Sequence, residues 1–412
     1  MYMHTLYLCY FGLREPLVQT QVLPYLRQLV AAGIEVSLLT FEPELRQKWS
    51  SPELEEQRSQ LAGEGIRWFY LPYHKRPSLP ATAYDIFAGA WQASRLVRRY
   101  RINVLHARAH VAMVMAMLAR RFNACRLVFD FRGLVADEYV DAGIWKESSP
   151  AYKAMKKVER KGFRVADQII VLTRKMRDWL IERGLADANK IEAIPCCFDF
   201  SRFRTDNDLK KDEQRFEVVY AGSVTGLYML EEMGRFFLKL QAQQPDAFFR
   251  VLTVSSQAEA EAVLRRTGLN EGDFSVKAVP PVEVPMYLRR ARLGLSFRKP
   301  TFSQMAASPT KIPEYLAAGL PVVCNSGIGD VDDLLETEGV GVLVKTFDDE
   351  SYLKAAERAI KLAGDTDVRA RCARVARQHF DLINVGGAGY RNVYRRLQEQ
   401  SSSLNAKLEA HP

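Results

Sequence analysis

Short apolar runs alternate with stretches whose apolar residues recur every three or four positions, and the alternation continues along almost the whole chain. In the first half "HTLYLCYF", "IEVSLLTF", "IRWFYLPY", "NVLHAR", "RLVFDF", "QIIVLT" and "IEAIPC" read as strands. Between them lie helical patterns: Val22, Leu26, Leu29 and Val30 keep the spacing of one helix face, and Gly33 stands where that helix should end. Strands and helices in this rhythm predict parallel sheets made of βαβ units. The pattern stops after "FDFSRF", where "RTDNDLKKDEQR" has no apolar period. It then starts afresh with "FEVVYAGS", "FFRVLTVSS", "FSVKAVP", "LGLSFRKP", "PVVCNS" and "GVLVK".

The expected organisation is therefore an α/β chain with two Rossmann-like, doubly wound domains. Residues 1–204 form the first, 205–215 a linker, 216–385 the second, and 386–412 a C-terminal helix, "YRNVYRRLQEQ", with a polar tail expected to fray. Open parallel sheets bind ligands at the carboxyl ends of their strands, so a cleft between two such domains is where function is expected.

Composition agrees with this picture. A chain of 412 residues, 48% hydrophobic, exceeds the size at which one core keeps growing. The longest apolar runs fall short of the ~20 residues of a bilayer span, and "MYMHTLYLCYFG" lacks a signal-peptide layout, so a cytoplasmic protein is expected. Cys9, Cys125, Cys196, Cys197, Cys324 and Cys372 show no metal-ligand spacing and read as small buried residues. The net charge of +9 suits nucleic acid, an anionic membrane face or phosphorylated ligands. Nucleic acid is not expected, because the basic residues are not interleaved with aromatics along one face.

Neither "CYFGLREPLVQTQ" nor "YAGSVTGLYML" is the G-x-G-x-x-G of a dinucleotide site. Gly12 makes either a tight strand-to-helix turn or a bare backbone that a ligand approaches, with Arg14 beside it for an anion. "SPTKIPEYLAAGLPVV", Ser308 to Val323, is more informative. If Thr310 caps, then Lys311, Ile312 and Pro313 are the first helical positions, and the missing N–H of Pro313 costs nothing. Free backbone donors, the Thr310 hydroxyl and the Lys311 ammonium then meet at one positive helix end, which suits phosphate. Glu314 follows, able to accept the two vicinal hydroxyls of a ribose. The alternative is an ordinary capped helix with a solvent-facing glutamate.

Together with "NSGIGDVDDLL", this stretch resembles the donor-binding signature of family 4 glycosyltransferases, retaining enzymes of the two-Rossmann-domain GT-B type that serve bacterial polysaccharide and glycoconjugate synthesis. "GLREPLVQTQVLPYLRQLVAAGIEVSLLT" resembles their N-terminal glycine loop and helix, and "HARAH" their acceptor-side histidine motif. The resemblance implies a nucleotide-diphosphate sugar, UDP- or GDP-linked, as co-substrate, with no other cofactor and no metal. It implies a saccharide or lipid-linked saccharide as acceptor. Of the family's two glutamates flanking the donor, the second falls on Glu314 and the first on Ala306, where there is no carboxylate. Sugar contacts are then expected from Gln304, Ser303 or the backbone around Ala306. The family's Arg and Lys after the first C-terminal strand are missing from "GSVTG", which offers Gly222 and Ser223. Lys311, Lys299 and Arg298 are the expected substitutes, with Ser308 and Thr310 also on phosphate.

On the acceptor side, His106 and His110 in "NVLHARAH" and Asp130 and Arg132 in "LVFDFRGLVADEY" are placed at strand ends. They are read as the catalytic group (His106, Asp130, Arg132) and an acceptor contact (His110), with hydrogen-bonded structural histidines as the alternative. The family frequently has a His where Arg132 stands. A guanidinium is no base, so Arg132 is expected to stabilise charge on the leaving phosphate. Asp137 and Glu138 either contact acceptor hydroxyls or are solvated acids at a helix start. "AYKAMKKVERKGFR" sets Tyr152, Met155, Val158 and Phe163 against five basic residues. It either docks on the inner membrane face or packs on the core with its basic face in water. The expected function is a retaining glycosyltransferase, with a nucleotide-sugar epimerase of the same fold and a non-catalytic nucleotide-sugar binder as alternatives.

Overall fold

The computed structural model describes residues 2–76, 78–200 and 215–409, the last nine as backbone alone. The expected linker, but for Arg215, lies outside the described residues. Every run read as a strand forms one. β1 (His4–Cys9), β2 (Glu35–Pro43), β3 (Ile66–Tyr73), β4 (Val104–Arg108), β5 (Arg126–Asp130), β6 (Gln168–Val171) and β7 (Ile191–Ala193) make one sheet. β8 (Phe216–Ala221), β9 (Ala247–Leu252), β10 (Phe274–Lys277), β11 (Leu293–Ser296), β12 (Val322–Asn325) and β13 (Gly341–Val344) make the other.

Both sheets are parallel, in the orders β3-β2-β1-β4-β5-β6-β7 and β10-β9-β8-β11-β12-β13. In each, the winding reverses beside the first strand, between β1 and β4 and between β8 and β11. Chains leaving the sheet in opposite directions at such a point open a crevice at the strand ends. The near-continuous apolar strands follow from burial on both faces. In β8, Val218 and Tyr220 join a core with Phe236, Phe237 and Phe249, while Val219 joins Ile312, Tyr315 and Leu316 on the opposite face.

The described residues fall into two compact units, one from 1–136, 145–195 and 382–412, the other from 137–144 and 196–381. The units thus divide at 136/137, 144/145, 195/196 and 381/382, beside a sequence reading of 1–204, 205–215, 216–385 and 386–412. The last helix, Ala388–Glu409, packs into the first unit through Tyr390 and Tyr394, both essentially unexposed. Its backbone is helical as far as Glu409, where the sequence suggested a frayed tail.

Candidate functional site

At the β8–β11 switch point the chain assembles a cationic, aromatic site. The loop after β8 and the segment after β11 run antiparallel, with Met229 N–H donating to Phe297 O (3.1 Å) and Lys299 N–H to Leu227 O (2.9 Å). This sets Tyr228 beside Arg298. The helix Lys311–Ala317 begins against the same strand ends, where Ala221 N–H donates to Tyr315 Oη at 2.8 Å. The Tyr315 ring has room only because position 294 in β11 is glycine: a Cβ there would lie 2.5 Å from it.

Lys311, 5% exposed, turns its ammonium into this corner and donates to Tyr220 Oη at 3.2 Å. Its Nζ lies 3.7 Å from the ring centroid of Tyr228 and 4.5 Å from that of Tyr220, both cation–π geometries. Gly222 takes φ of +143°, which requires the glycine, and a Cβ there would stand 2.9 Å from Nζ and displace the ammonium. Arg298 donates from Nε to Gln304 Oε1 (2.6 Å) and from Nη1 to Tyr228 Oη (3.3 Å). Its backbone N–H donates to Asn325 Oδ1, at the end of β12, at 2.8 Å. Gln304 in turn donates from Nε2 to Ser303 Oγ at 3.0 Å. Lys311, Arg298, Gln304, Ser303 and Gly222 are thus brought together; Tyr220 and Tyr228, which join them, had no sequence signal beyond being aromatic.

No carboxylate among the described residues comes within ion-pair distance of Lys311 or Arg298. Burial, and then the Arg298 charge, hold the Lys311 ammonium well below its ordinary pKa, with Glu314 pulling the other way. Glu314 is half-buried on the same helix. Glu138, read from sequence as acceptor-side, belongs to this unit, where burial raises its pKa and the Arg298 charge opposes the rise. Asp137 is half-buried in the first turn of the same short helix, Val135–Asp141.

Other expected donor residues stand differently. Thr310 is exposed with helical φ,ψ, so its hydroxyl makes no cap. Ser308 Oγ accepts from Cys196 N–H at 3.0 Å, and Lys299 Nζ donates to the Asp141 carbonyl at 3.3 Å. Ser223 offers its carbonyl to Tyr220 Oη and its hydroxyl to Thr225. Ala306 is buried, as are Ser303 and Gln304.

In the first unit two of the strand-end residues read as catalytic, His106 and Asp130, are sealed, and the third, Arg132, is half-buried. His106 lies inside β4 with no exposure: Nδ1 is 3.0 Å from Tyr394 Oη and Nε2 is 3.8 Å from Asp130 Oδ2. Asp130, equally buried, accepts from Tyr7 Oη and Tyr390 Oη at 3.0 Å each. Arg108 lies 3.5 Å from one of its oxygens and Arg132 3.6 Å from the other. Burial acts to raise the Asp130 pKa, but Arg132, His106 and Arg108 outweigh it and hold the carboxyl well below its ordinary range. Burial lowers His106. Arg132 also donates to Gln21 Oε1 at 3.4 Å from a left-handed backbone of φ +55°. Sequence reasoning missed Arg108, although its register opposite Asp130 and alternation with His106 in "HARAH" were there to be read.

His110 pairs Nε2 with Glu159 Oε1 at 3.1 Å, and Glu159 with Lys156 Nζ at 2.6 Å, with His110 and Glu159 both buried, the surroundings of a hydrogen-bonded histidine. Gly12 is glycine because a Cβ would lie 2.6 Å from Pro43 Cδ and 3.0 Å from the carboxylate of Glu42, which accepts the Leu13 N–H. Arg14 is committed to Glu53 (2.8 Å), the Lys48 carbonyl (2.7 Å) and the Trp49 ring. The basic helix Pro150–Val165 turns its apolar side inward, Phe163 packing on Phe129 and Phe131. Among the described residues no three His, Cys, Asp or Glu side chains form a metal-ligating group, and no helix is long and apolar enough to cross a membrane.

Two parallel Rossmann-like sheets, each wound about its first strand, define a glycosyltransferase fold of the GT-B type. Residues 18–197 match the glycosyl transferase 4-like domain; the chain carries that domain and is a glycosyltransferase. Among solved structures it is similar to sucrose-phosphate synthase from Thermosynechococcus elongatus, with TM-score 0.71 and 16% identity over 96% of this chain and 100% of that one. HepE from Anabaena, solved in complex with UDP-glucose, is similar at TM-score 0.63 and 16% identity over 97% and 100%. The lipopolysaccharide outer core galactosyltransferase WaaB is similar at 0.64 and 11% over 97% and 100%. No curated protein matches the sequence.

Proposed function

We propose that the chain is a retaining glycosyltransferase that transfers a sugar from a UDP- or GDP-sugar to a hydroxyl of a saccharide or lipid-linked saccharide, in glycan or cell-envelope polysaccharide synthesis at the inner membrane face. The observation that carries this reading is the pair of neighbouring cations, Lys311 and Arg298, held at the ends of β8 and β11 beside a bare Gly222 backbone with no carboxylate in ion-pair reach. Such a corner suits a diphosphate. The structure of HepE with UDP-glucose on the same fold supports it.

In this reading Lys311 and Arg298 stabilise the charge that develops on the departing diphosphate. Glu314 accepts the ribose hydroxyls, and Ser303 with Gln304 borders the sugar. The leaving diphosphate takes the proton of an acceptor hydroxyl arriving on the same face, so retention needs no carboxylate nucleophile. The acceptor is the business of the first unit.

Replacing Glu314 by Ala is expected to weaken UDP or GDP binding, measured calorimetrically, by about 1.5 to 3 kcal/mol, the worth of hydrogen bonds to a charged group. Unchanged affinity would remove Glu314 from the site. Incubating the sugar nucleotide with and without acceptor should give a product only when acceptor is present, with the anomeric configuration of the donor kept.

A further inference from the structure

Four large apolar side chains, Leu79, Tyr84, Phe87 and Trp91, stand exposed on one helix of the first unit, Ser78–Tyr100, and Phe122 stands exposed just past the end of the neighbouring helix Ala109–Arg120. All five are between 62% and 71% exposed. The inner face of the first helix is already used: Ala81, Asp85, Gly89 and Ala93 recur every four residues and are buried. Gly89 lies so close to its neighbours that a Cβ would stand 2.6 Å from Met115 Sδ. Tyr84, Phe87 and Trp91 lie on the other side, three and four residues apart, and Arg95 and Arg98 continue their stripe. Trp91, Phe87, Arg95, Arg98, Arg121 and Phe122 line a single groove.

The charge on this face has one sign. The helix contains a single carboxylate, Asp85, which is 1% exposed and held by Tyr10 Oη at 2.7 Å and by His74 Nδ1 at 2.6 Å. Arg95, Arg98, Arg99 and Arg121 are exposed. The sequence reading found no face shared by aromatic and basic residues; the fold makes one by bringing two helix ends together.

An apolar patch of this kind on a soluble surface marks an interaction site. Its composition narrows the partner. Aromatic rings beside cations are what a bilayer interface accepts, the rings at headgroup depth and the cations on anionic headgroups. A second copy of this face would set arginines against arginines. A single-stranded nucleic acid asks for rings and cations interleaved along a track, whereas here the apolar side chains gather toward one end of the stripe and the arginines toward the other.

We propose that the outer face of Ser78–Tyr100, with Arg121 and Phe122, docks on the anionic surface of a lipid bilayer. This gives the membrane contact of the proposed function its surface, on a different helix from the basic one that the sequence suggested. It deepens that reading but needs neither donor nor acceptor, so vesicle binding and sugar transfer fail separately.

The test is cosedimentation of the full-length protein, without nucleotide, with vesicles of phosphatidylcholine alone and of phosphatidylcholine with phosphatidylglycerol. Binding is expected to the phosphatidylglycerol vesicles and to weaken with salt. Arg95→Ala and Arg121→Ala should each cost about fivefold, and Trp91→Ala about tenfold. Lys153→Glu, on the basic helix, should change little. All these side chains are on the surface, and unchanged melting curves check that the variants fold. Absence of vesicle binding overturns the proposal, as does binding that survives Trp91→Ala but is lost in Lys153→Glu. Capture of single-stranded oligonucleotide in preference to the anionic vesicles, abolished by Trp91→Ala, overturns it in favour of a nucleic acid.

Discussion

The two sheets bring buried charge to the ends of their central strands in opposite ways. At β1, β4 and β5, Asp130 lies between Arg108 and Arg132 and accepts from Tyr7 and Tyr390, so charges of both signs are enclosed together. At β8 and β11 the charges are the buried Lys311 and the half-buried Arg298, both positive, met by tyrosine hydroxyls, ring faces and the Gln304 amide. Removing an ion from water costs several kcal/mol, and only partners within reach offset it. In the first unit the protein supplies the counter-charge, so the network holds the fold. In the second unit dipoles and π-faces meet the cations, and Glu314 and Glu138 act on them only from beyond ion-pair distance, an arrangement that leaves room for an anionic ligand.

The sharpest way to break this contrast is at Asp130. Asp130→Asn leaves the buried Arg108 without its anion and takes one from Arg132, and is expected to cost about 3 to 5 kcal/mol of stability in chemical denaturation, with nucleotide affinity unchanged. The sign of the pH effect follows from the depressed pKa. Folded Asp130 gives up its proton more readily than in the unfolded chain, so its contribution is complete above the ordinary carboxyl value of 3.8 and is lost as pH falls toward its own lower value. The Asn variant should lack that acid-side loss. A variant that kept full stability but lost activity would make Asp130 a reacting group and erase the distinction.

Lys311→Met tests the other half. It removes a buried cation with no carboxylate in reach, so the unliganded protein should be as stable as before or more so. UDP or GDP affinity, by contrast, should fall by about 1.5 to 3 kcal/mol. Loss of stability without loss of affinity would show that Lys311 belongs to the fold, as Arg108 does.

Strand positions were legible in the sequence because burial on both faces writes itself as an unbroken apolar run. The cationic corner was partly legible: Lys311 and Glu314 follow from the spacing of a helix start, and Arg298 was expected through the family resemblance alone. What could not be read was who reaches whom. His106 and Asp130 sit near strand ends as strand-end catalytic residues would, and the return of Tyr394 and Tyr390, 288 and 260 residues further along the chain, closes them in. Thr310 has the right residue type for a cap, but its backbone is already helical and its hydroxyl points elsewhere. The exposed aromatics of Ser78–Tyr100 escaped notice because that helix is apolar on its inner face as well, and periodicity does not say which of two apolar stripes the core will take.

The smallest effect concerns the proton on Lys311. Burial and Arg298 lower its pKa, so between that lowered value and the ordinary 10.5 the unfolded chain holds a proton that the folded one lacks, and the unliganded protein gains stability as pH rises through this window. A bound diphosphate reverses the preference, since its negative charge favours the ammonium. Nucleotide affinity should therefore decline as pH rises above neutrality, where the phosphates are already fully ionised, and the decline should begin below the pH at which an ordinary lysine titrates. One proton is linked to binding, so the slope is at most about tenfold per pH unit. Calorimetry across this range should show the decline in the wild type and a flat profile in Lys311→Met. A slope that persists in the variant would assign the proton to another group and leave Lys311 as one more buried contact, like those of the first sheet.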